Sequence, residues 1–164
     1  NYDTAICAIA KANTPALHYF ICGNGPEEER LKALAESLGV AKHIQFLGFC
    51  SDIRELLAAA DIFLFTTKQE GLPRSMMEAM ASGLPCVASK IRGNSDLLDG
   101  TEGCFLCEPT DSSAYAEKLK LLANDKNLRE MMGRNNLITI QNFDTETANE
   151  YLRKVYEVEF SGGG

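Results

Sequence analysis

The sequence predicts an α/β fold, a doubly wound parallel sheet with helices on both faces. Three observations carry that prediction. First, short apolar runs that read as strands alternate with stretches of helical period; the strands are LHYFIC (17–22), HIQFL (43–47), DIFLFT (61–66), PCVA (85–88) and CFLC (104–107). Second, strands separated by helices pair in parallel, because a parallel connection must cross back over the sheet. Third, a chain of 164 residues, 45% apolar and 24% charged, is one domain-sized unit with enough apolar material for a core.

Each element has a local reason. Tyr2 to Ala12 reads as an amphipathic helix, with Tyr2, Ile6, Ile9 and Ala10 at helical spacing and Asp3 as a candidate cap. The first strand closes in Gly23-Asn24-Gly25-Pro26, and a helix from Glu27 to Leu38 turns Leu31, Leu34, Ala35 and Leu38 inward before Gly39 ends it. Asp52 is placed to cap a helix carrying Ile53, Leu56, Leu57 and Ala60. Asp61 to Thr66 reads as the central strand, and residues 75 to 82 belong to the helix after it. Met76, Met77 and Met80 read as core, with Ala79, Ala81 and Gly83 letting that helix sit close to the sheet. Pro85 is acceptable as the first residue of the next strand, where no ladder donor is needed. A loop over 91–96 opens a short helical turn before the last strand. Three helices finish the chain: 111–122 with Tyr115, Leu119 and Leu122 inward, 125–137 with Leu128, Met131 and Met132, and one capped by Asp144 with Ala148, Leu152 and Val155 on its apolar face. Ser161 to Gly164 reads as a linker tail, so the folded domain spans 2–160.

Composition excludes some partners. A net charge of −7 argues against a nucleic-acid backbone, which calls for a basic face. The apolar runs fall far short of the roughly 20 residues that span a bilayer. The six cysteines are scattered, and Cys104-Phe-Leu-Cys107 has neither a second pair nor a nearby histidine, so no metal site is expected. Buried free thiols fit a reducing compartment and predict a cytoplasmic protein.

The chemistry concentrates at Glu70 to Glu78, EGLPRSMME, where a strand, a loop and a helix meet. Ligands of open α/β sheets bind at the carboxyl ends of the strands, and a helix starting there aims unpaired N–H groups at them. Glu70 and Glu78 suit a polyhydroxylated ligand, since an ionised carboxylate accepts from two vicinal hydroxyls. Gly71 permits close backbone approach. The competing reading of Glu78 is a capping box with Ser75. GNGP has the position of a phosphate-cradling turn but lacks a dinucleotide fingerprint, and a plain tight turn explains it equally well. There is no P-loop, and His18 and His43 match no nucleophile pattern.

With these residues in hand, the chain resembles the C-terminal domain of family 4 retaining glycosyltransferases, which have the GT-B architecture of two Rossmann-like halves. The resemblance rests on GNGP, FLGFCSD (46–52), LLAAADIFLFTT (56–67), EGLPRSMMEAMASGLPCVAS (70–89), IRGNSDLL (91–98) and FDTETANEYLRKVYEV (143–158), in the family's order. It implies a domain that binds a nucleotide-sugar donor, with UDP as the nucleotide, for hexosyl transfer in capsule, exopolysaccharide or related glycan assembly. Glu70, Gly71 and Leu72 then match positions facing the donor sugar, and Glu78 matches the one holding the ribose. Leu47, Gly48 and Phe49 match the segment beside the base, while Gly23, Gly25 and Arg74 are phosphate-adjacent candidates.

No residue of this half is assigned a catalytic role, and no cofactor or metal is implied. The family's Arg and Lys pair, which clamps the diphosphate from the end of a preceding strand, is expected ahead of Asn1. So is the N-terminal domain that binds a glycan or lipid-linked acceptor. The isolated chain is therefore expected to be inactive, and the full-length enzyme to work in the cytoplasm at the inner face of the membrane. Two alternatives remain: a nucleotide-sugar-binding module without turnover, and another GT-B enzyme such as a sugar-nucleotide epimerase.

Overall fold

The computed structural model describes residues 1–71, 73–98 and 100–141. Leu72, the segment 143–158 with its predicted Asp144-capped helix, and the tail 161–164 lie outside the described residues. The elements in order are helix α1 (Tyr2–Ala12), strand β1 (Tyr19–Cys22), α2 (Glu28–Ser37), a 3-10 turn (Ala41–His43), β2 (Ile44–Gly48), α3 (Ile53–Ala59) and β3 (Phe63–Phe65). They continue with α4 (Arg74–Ala81), β4 (Cys86–Ser89), α5 (Arg92–Leu98), β5 (Cys104–Cys107), α6 (Ser112–Asn124) and α7 (Lys126–Gln141).

Every strand pairing is parallel, as the alternation of strands and helices requires. β1 pairs with β2 in one sheet, and β3, β4 and β5 form a second in that order. The predicted central strand is thus an edge strand among the described residues: β3 pairs with β4 alone, its three residues are half-buried, and the fully buried strand is β4. Helices cover both faces of the larger sheet. Val87 of β4 points into a cluster with Ala8, Ile9 and Ala12 of α1 and Tyr115, Leu119 and Leu122 of α6. Its neighbours Cys86 and Ala88 point the other way, into Met76, Ala79 and Met80 of α4 and Leu97 and Leu98 of α5. The period-2 pleat of a strand separates those two cores. A third cluster joins Ile21, Ile44, Leu31 and Ala35 to Ile6 of α1.

The direction of the smaller sheet follows from α1. The Asn1 carbonyl accepts a bond from Thr66 just past β3 (2.9 Å), and its amide donates to Pro109 O just past β5 (2.7 Å). α1 therefore starts at the carboxyl ends of β3 and β5. Eleven helical residues carry the chain about 16 Å away before β1 begins. β1 and β2 then run back in the same sense, so the carboxyl ends of both sheets lie at one end of the molecule.

Several local expectations are corrected. No side chain caps α1; Asp3 sits in its first turn and pairs with Arg30 at 2.6 Å. Asp52 caps α3 through its backbone only, its carbonyl accepting from Leu56 N. Leu38 and Met131, read as inward-facing, are 41% exposed each: Leu38 is the C-cap of α2, whose buried residues are Leu31 and Ala35, and α7 buries Met132, Gly133 and Asn136 instead. Ala81 is exposed, and Gly83 serves as the left-handed end of α4 (φ 73°), packed on Leu137 of α7. Pro85 precedes β4 without joining it, and residues 92–96, read as loop, are already helical in α5. Asp111 does cap α6, accepting from Ser113 N and Ala114 N at 3.1 Å.

The cysteines are all free. Cys86 and Cys107 are buried, but Cys22 is exposed, contrary to the reading of the thiols as core. Burial pushes the Cys86 thiol up to about 12 and the Cys107 thiol up to about 11.

Candidate functional site

The predicted site residues fall into two groups at the carboxyl ends of the strands. The first follows β3. Thr66 leaves the strand with its hydroxyl on Asn1, and Thr67 Oγ1 bonds Gln69 O at 3.0 Å to shape the loop. Glu70 is half-buried and Gly71 exposed at its tip. The loop ends at Pro73, a buried residue in the N-cap position of α4. No side chain caps that helix, so its first-turn N–H groups have no side-chain acceptor to compete with a ligand. Arg74, exposed, is the first helical residue.

Glu78 lies on the exposed side of α4, together with Ser75 and Ser82, as the sequence predicts. The opposite side of α4 holds Met76, Ala79 and Met80, all without solvent exposure, and this fixes which way Glu78 points. The capping-box reading does not hold: Ser75 is inside the first turn, not ahead of it, and makes no cap bond. Ser82 Oγ bonds the Glu78 carbonyl at 2.9 Å and leaves the Glu78 carboxylate out of the helix-end bonding.

The second group joins the ends of β1 and β2. Gly23 N donates to Gly48 O at 2.6 Å, so GNGP and LGF are stitched together across the strand ends. Both glycines take left-handed φ values, 112° at Gly23 and 68° at Gly48, a region side chains disfavour. A Cβ on Gly48 would also sit 3.1 Å from the Asn24 side-chain oxygen. Leu47 is half-buried in β2, Phe49 is 80% exposed beyond it, and Gly25 is exposed in the turn. Nearby, burial and the neighbouring Cys50 thiol raise the Cys22 pKa.

The sequence ties the choice of sugar to the loop around Ile91 to Asn94 but assigns neither Gly93 nor Asn94 a role in the site. Gly93 packs against the backbone of the Glu70–Gly71 loop, and Asn94, fully buried, donates from Nδ2 to Ser89 O at 2.8 Å. The signal available was a glycine in IRGNSDLL whose partner lies about a score of residues upstream, a contact that spacing does not reveal. A depression between α2 and β2, lined by Glu28, Lys32, Ile44 and Phe46, shares no residue with either group. No group of three or more possible metal ligands occurs among the described residues.

Comparison with known proteins gives this geometry a family. The family described as glycosyl transferases group 1 matches residues 1–137. The lipopolysaccharide core biosynthesis glycosyltransferase LpsE of Rhizobium meliloti is 29% identical, over 78% of this chain and 37% of that protein. An Escherichia coli UDP-Gal:alpha-D-GlcNAc-diphosphoundecaprenol alpha-1,3-galactosyltransferase is 32% identical, over 69% of this chain and 30% of that protein. Among solved structures, Anabaena HepE in complex with UDP and glucose superimposes with a TM-score of 0.81 at 28% identity, over 94% of this chain and 44% of that one. The chain thus spans less than half the length of these relatives. The chain belongs to the group 1 glycosyl transferases.

Proposed function

We propose, on the premise of that membership, that this chain is the donor-binding half of a retaining hexosyltransferase with a UDP-sugar as its donor. The observation that carries the reading is the loop after β3: a half-buried Glu70 beside Gly71, then an uncapped α4 that turns Glu78 to solvent from a fully buried base. A carboxylate at the loop tip suits sugar hydroxyls, a carboxylate further along the helix suits vicinal ribose hydroxyls, and a helix N-terminus without a side-chain cap between them suits a diphosphate. Likeness to HepE, whose structure holds UDP and glucose, supports the same ligand.

In this reading Glu70, Gly71 and Leu72 face the sugar, and Glu78 holds the ribose. Leu47, Gly48 and Phe49 lie beside the base. Gly23, Gly25 and Arg74 lie near the phosphates. None of these residues is a general base. Transfer depends on positioning and on electrostatic support of the departing diphosphate. The rest of the enzyme supplies the acceptor site, the Arg/Lys pair and any approach to a membrane, so the isolated chain binds donor without turning it over. The acceptor is a glycan or lipid-linked saccharide of surface polysaccharide assembly, as the names of LpsE and the galactosyltransferase suggest.

The test is a melting curve with millimolar UDP. UDP raises the melting temperature of the chain, and Glu78→Ala removes the rise without lowering the ligand-free melting temperature. The absence of any shift with nucleoside diphosphates contradicts a donor site built from this half.

A further inference from the structure

We propose that Gly93 is a positioning residue for the sugar-facing loop, a role that rests on the donor-binding reading above. Gly93 is buried, and its φ lies outside the left-handed region, so backbone conformation does not explain a glycine here. Space does. A Cβ at this position would strike the Glu70 carbonyl oxygen, and would lie 2.6 Å from Gly71 O and 3.0 Å from Glu70 C. The loop that carries Glu70 and Gly71 therefore rests directly on the backbone of α5, with no side chain between them.

The two sides of that contact are not equally free to move. α5 is pinned to the end of β4 by Asn94 Nδ2 on Ser89 O (2.8 Å), and its far end is held by Leu97 and Leu98 in the core. Ser89 in turn accepts from Tyr115 Oη at 2.9 Å and reaches Phe65 O at 3.4 Å, tying α6 and β3 to the same point. Against this, the described loop residues from Thr67 to Gly71 show a single side-chain bond, internal to the loop, from Thr67 to Gln69. Glu78 is carried separately, on α4, through Met76, Ala79 and Met80. A methyl group at position 93 must therefore displace Glu70 and Gly71 while leaving Glu78 in place.

The consequence is a split between two ligands that share a nucleotide. UDP needs the ribose, base and phosphate contacts, whereas UDP-glucose also needs the loop. In wild type UDP-glucose binds more tightly than UDP by the sugar contacts, and Gly93→Ala removes roughly tenfold of that advantage, the worth of one hydrogen bond to a carboxylate. UDP affinity is unchanged. In a double-mutant cycle, Glu70→Ala weakens UDP-glucose binding in wild type and has little further effect in Gly93→Ala, because both changes remove the same contact.

Calorimetric titration of the 164-residue chain and its variants with UDP and UDP-glucose separates the outcomes. Loss of the sugar advantage alone, with non-additivity toward Glu70→Ala, bears the proposal out. A Gly93→Ala protein that keeps the advantage overturns it, as does one that loses UDP and UDP-glucose binding together or fails to fold, since α5 and not the loop then yields. A wild type that binds both ligands equally overturns it as well. A wild type that binds neither contradicts the donor-binding reading itself.

Discussion

The elements around β4 and those around β2 hold their loops by different means. Around β4 the chain is anchored from every side: the strand is wholly buried, Met76 and Met80 are fully covered, and Tyr115 reaches Ser89 from α6. Asn136 of α7, also fully buried, donates to Leu84 O (2.7 Å) and Gly103 O (2.9 Å) and so clamps the starts of β4 and β5. Gly133 of α7 lies so close to Gly83 O that no side chain fits between them. Around β2 a small cluster of Ile21, Leu31, Ala35 and Ile44 does most of the holding. α3 has no buried residue, and Phe20 and Phe49 are 53% and 80% exposed. The contact proposed for the ribose thus sits on the rigid frame, the sugar-facing loop rests on that frame at Gly93, and the contacts proposed for the base sit on the thinner one.

The sharpest way to break this contrast is to cut the clamp. Asn136→Ala takes the amide donor from buried Leu84 O and leaves Gly103 O with its bond from Cys86 N alone, and should cost about 1–3 kcal/mol in denaturant unfolding, with the slope of the transition unchanged. A loss of a few tenths would mean that the frame around β4 does not depend on α7.

A pH titration sharpens the same point. Burial raises the Cys86 thiol from 9.0 to about 12. Above pH 9 the unfolded chain ionises this group and the folded chain does not, so the folded state loses stability as pH rises toward 12. One such group contributes about 1.4 kcal/mol per pH unit in that window. Cys86→Ala should flatten the slope of stability against pH above 9, whatever its effect at pH 7. An unchanged slope would assign the alkaline loss to other groups, such as Cys104, which burial also raises.

The smallest effect is expected on the other half. Phe49→Ser removes an exposed ring and should change stability by no more than about 0.5 kcal/mol. A larger loss would show that the end of β2 contributes more packing than its exposure suggests.

What the sequence made legible follows the same division. Helices and strands could be read because most are set off by Gly, Pro or a polar residue nearby; α1 and β5 match to the residue, and Asp111 caps α6 as its position predicts. Glu70, Gly71 and Glu78 could be chosen because they flank a strand-loop-helix junction. What could not be read is tertiary. Nothing local makes Asp61–Thr66 an edge strand, turns Met131 outward, or tells Asn136 that its acceptors lie at Leu84 and Gly103. Gly93 belongs to the same class: its glycine is explained by a loop distant in sequence, not by its own turn.

The central claim is that one nucleotide-sugar engages both regions. Amide hydrogen exchange of the 164-residue chain, with and without saturating UDP-glucose, tests it most directly. The account predicts added protection in two stretches, the Glu70 loop with the start of α4, and the Gly23 turn with Gly48 and Phe49. Protection confined to one stretch, or spread evenly over the chain, would contradict it.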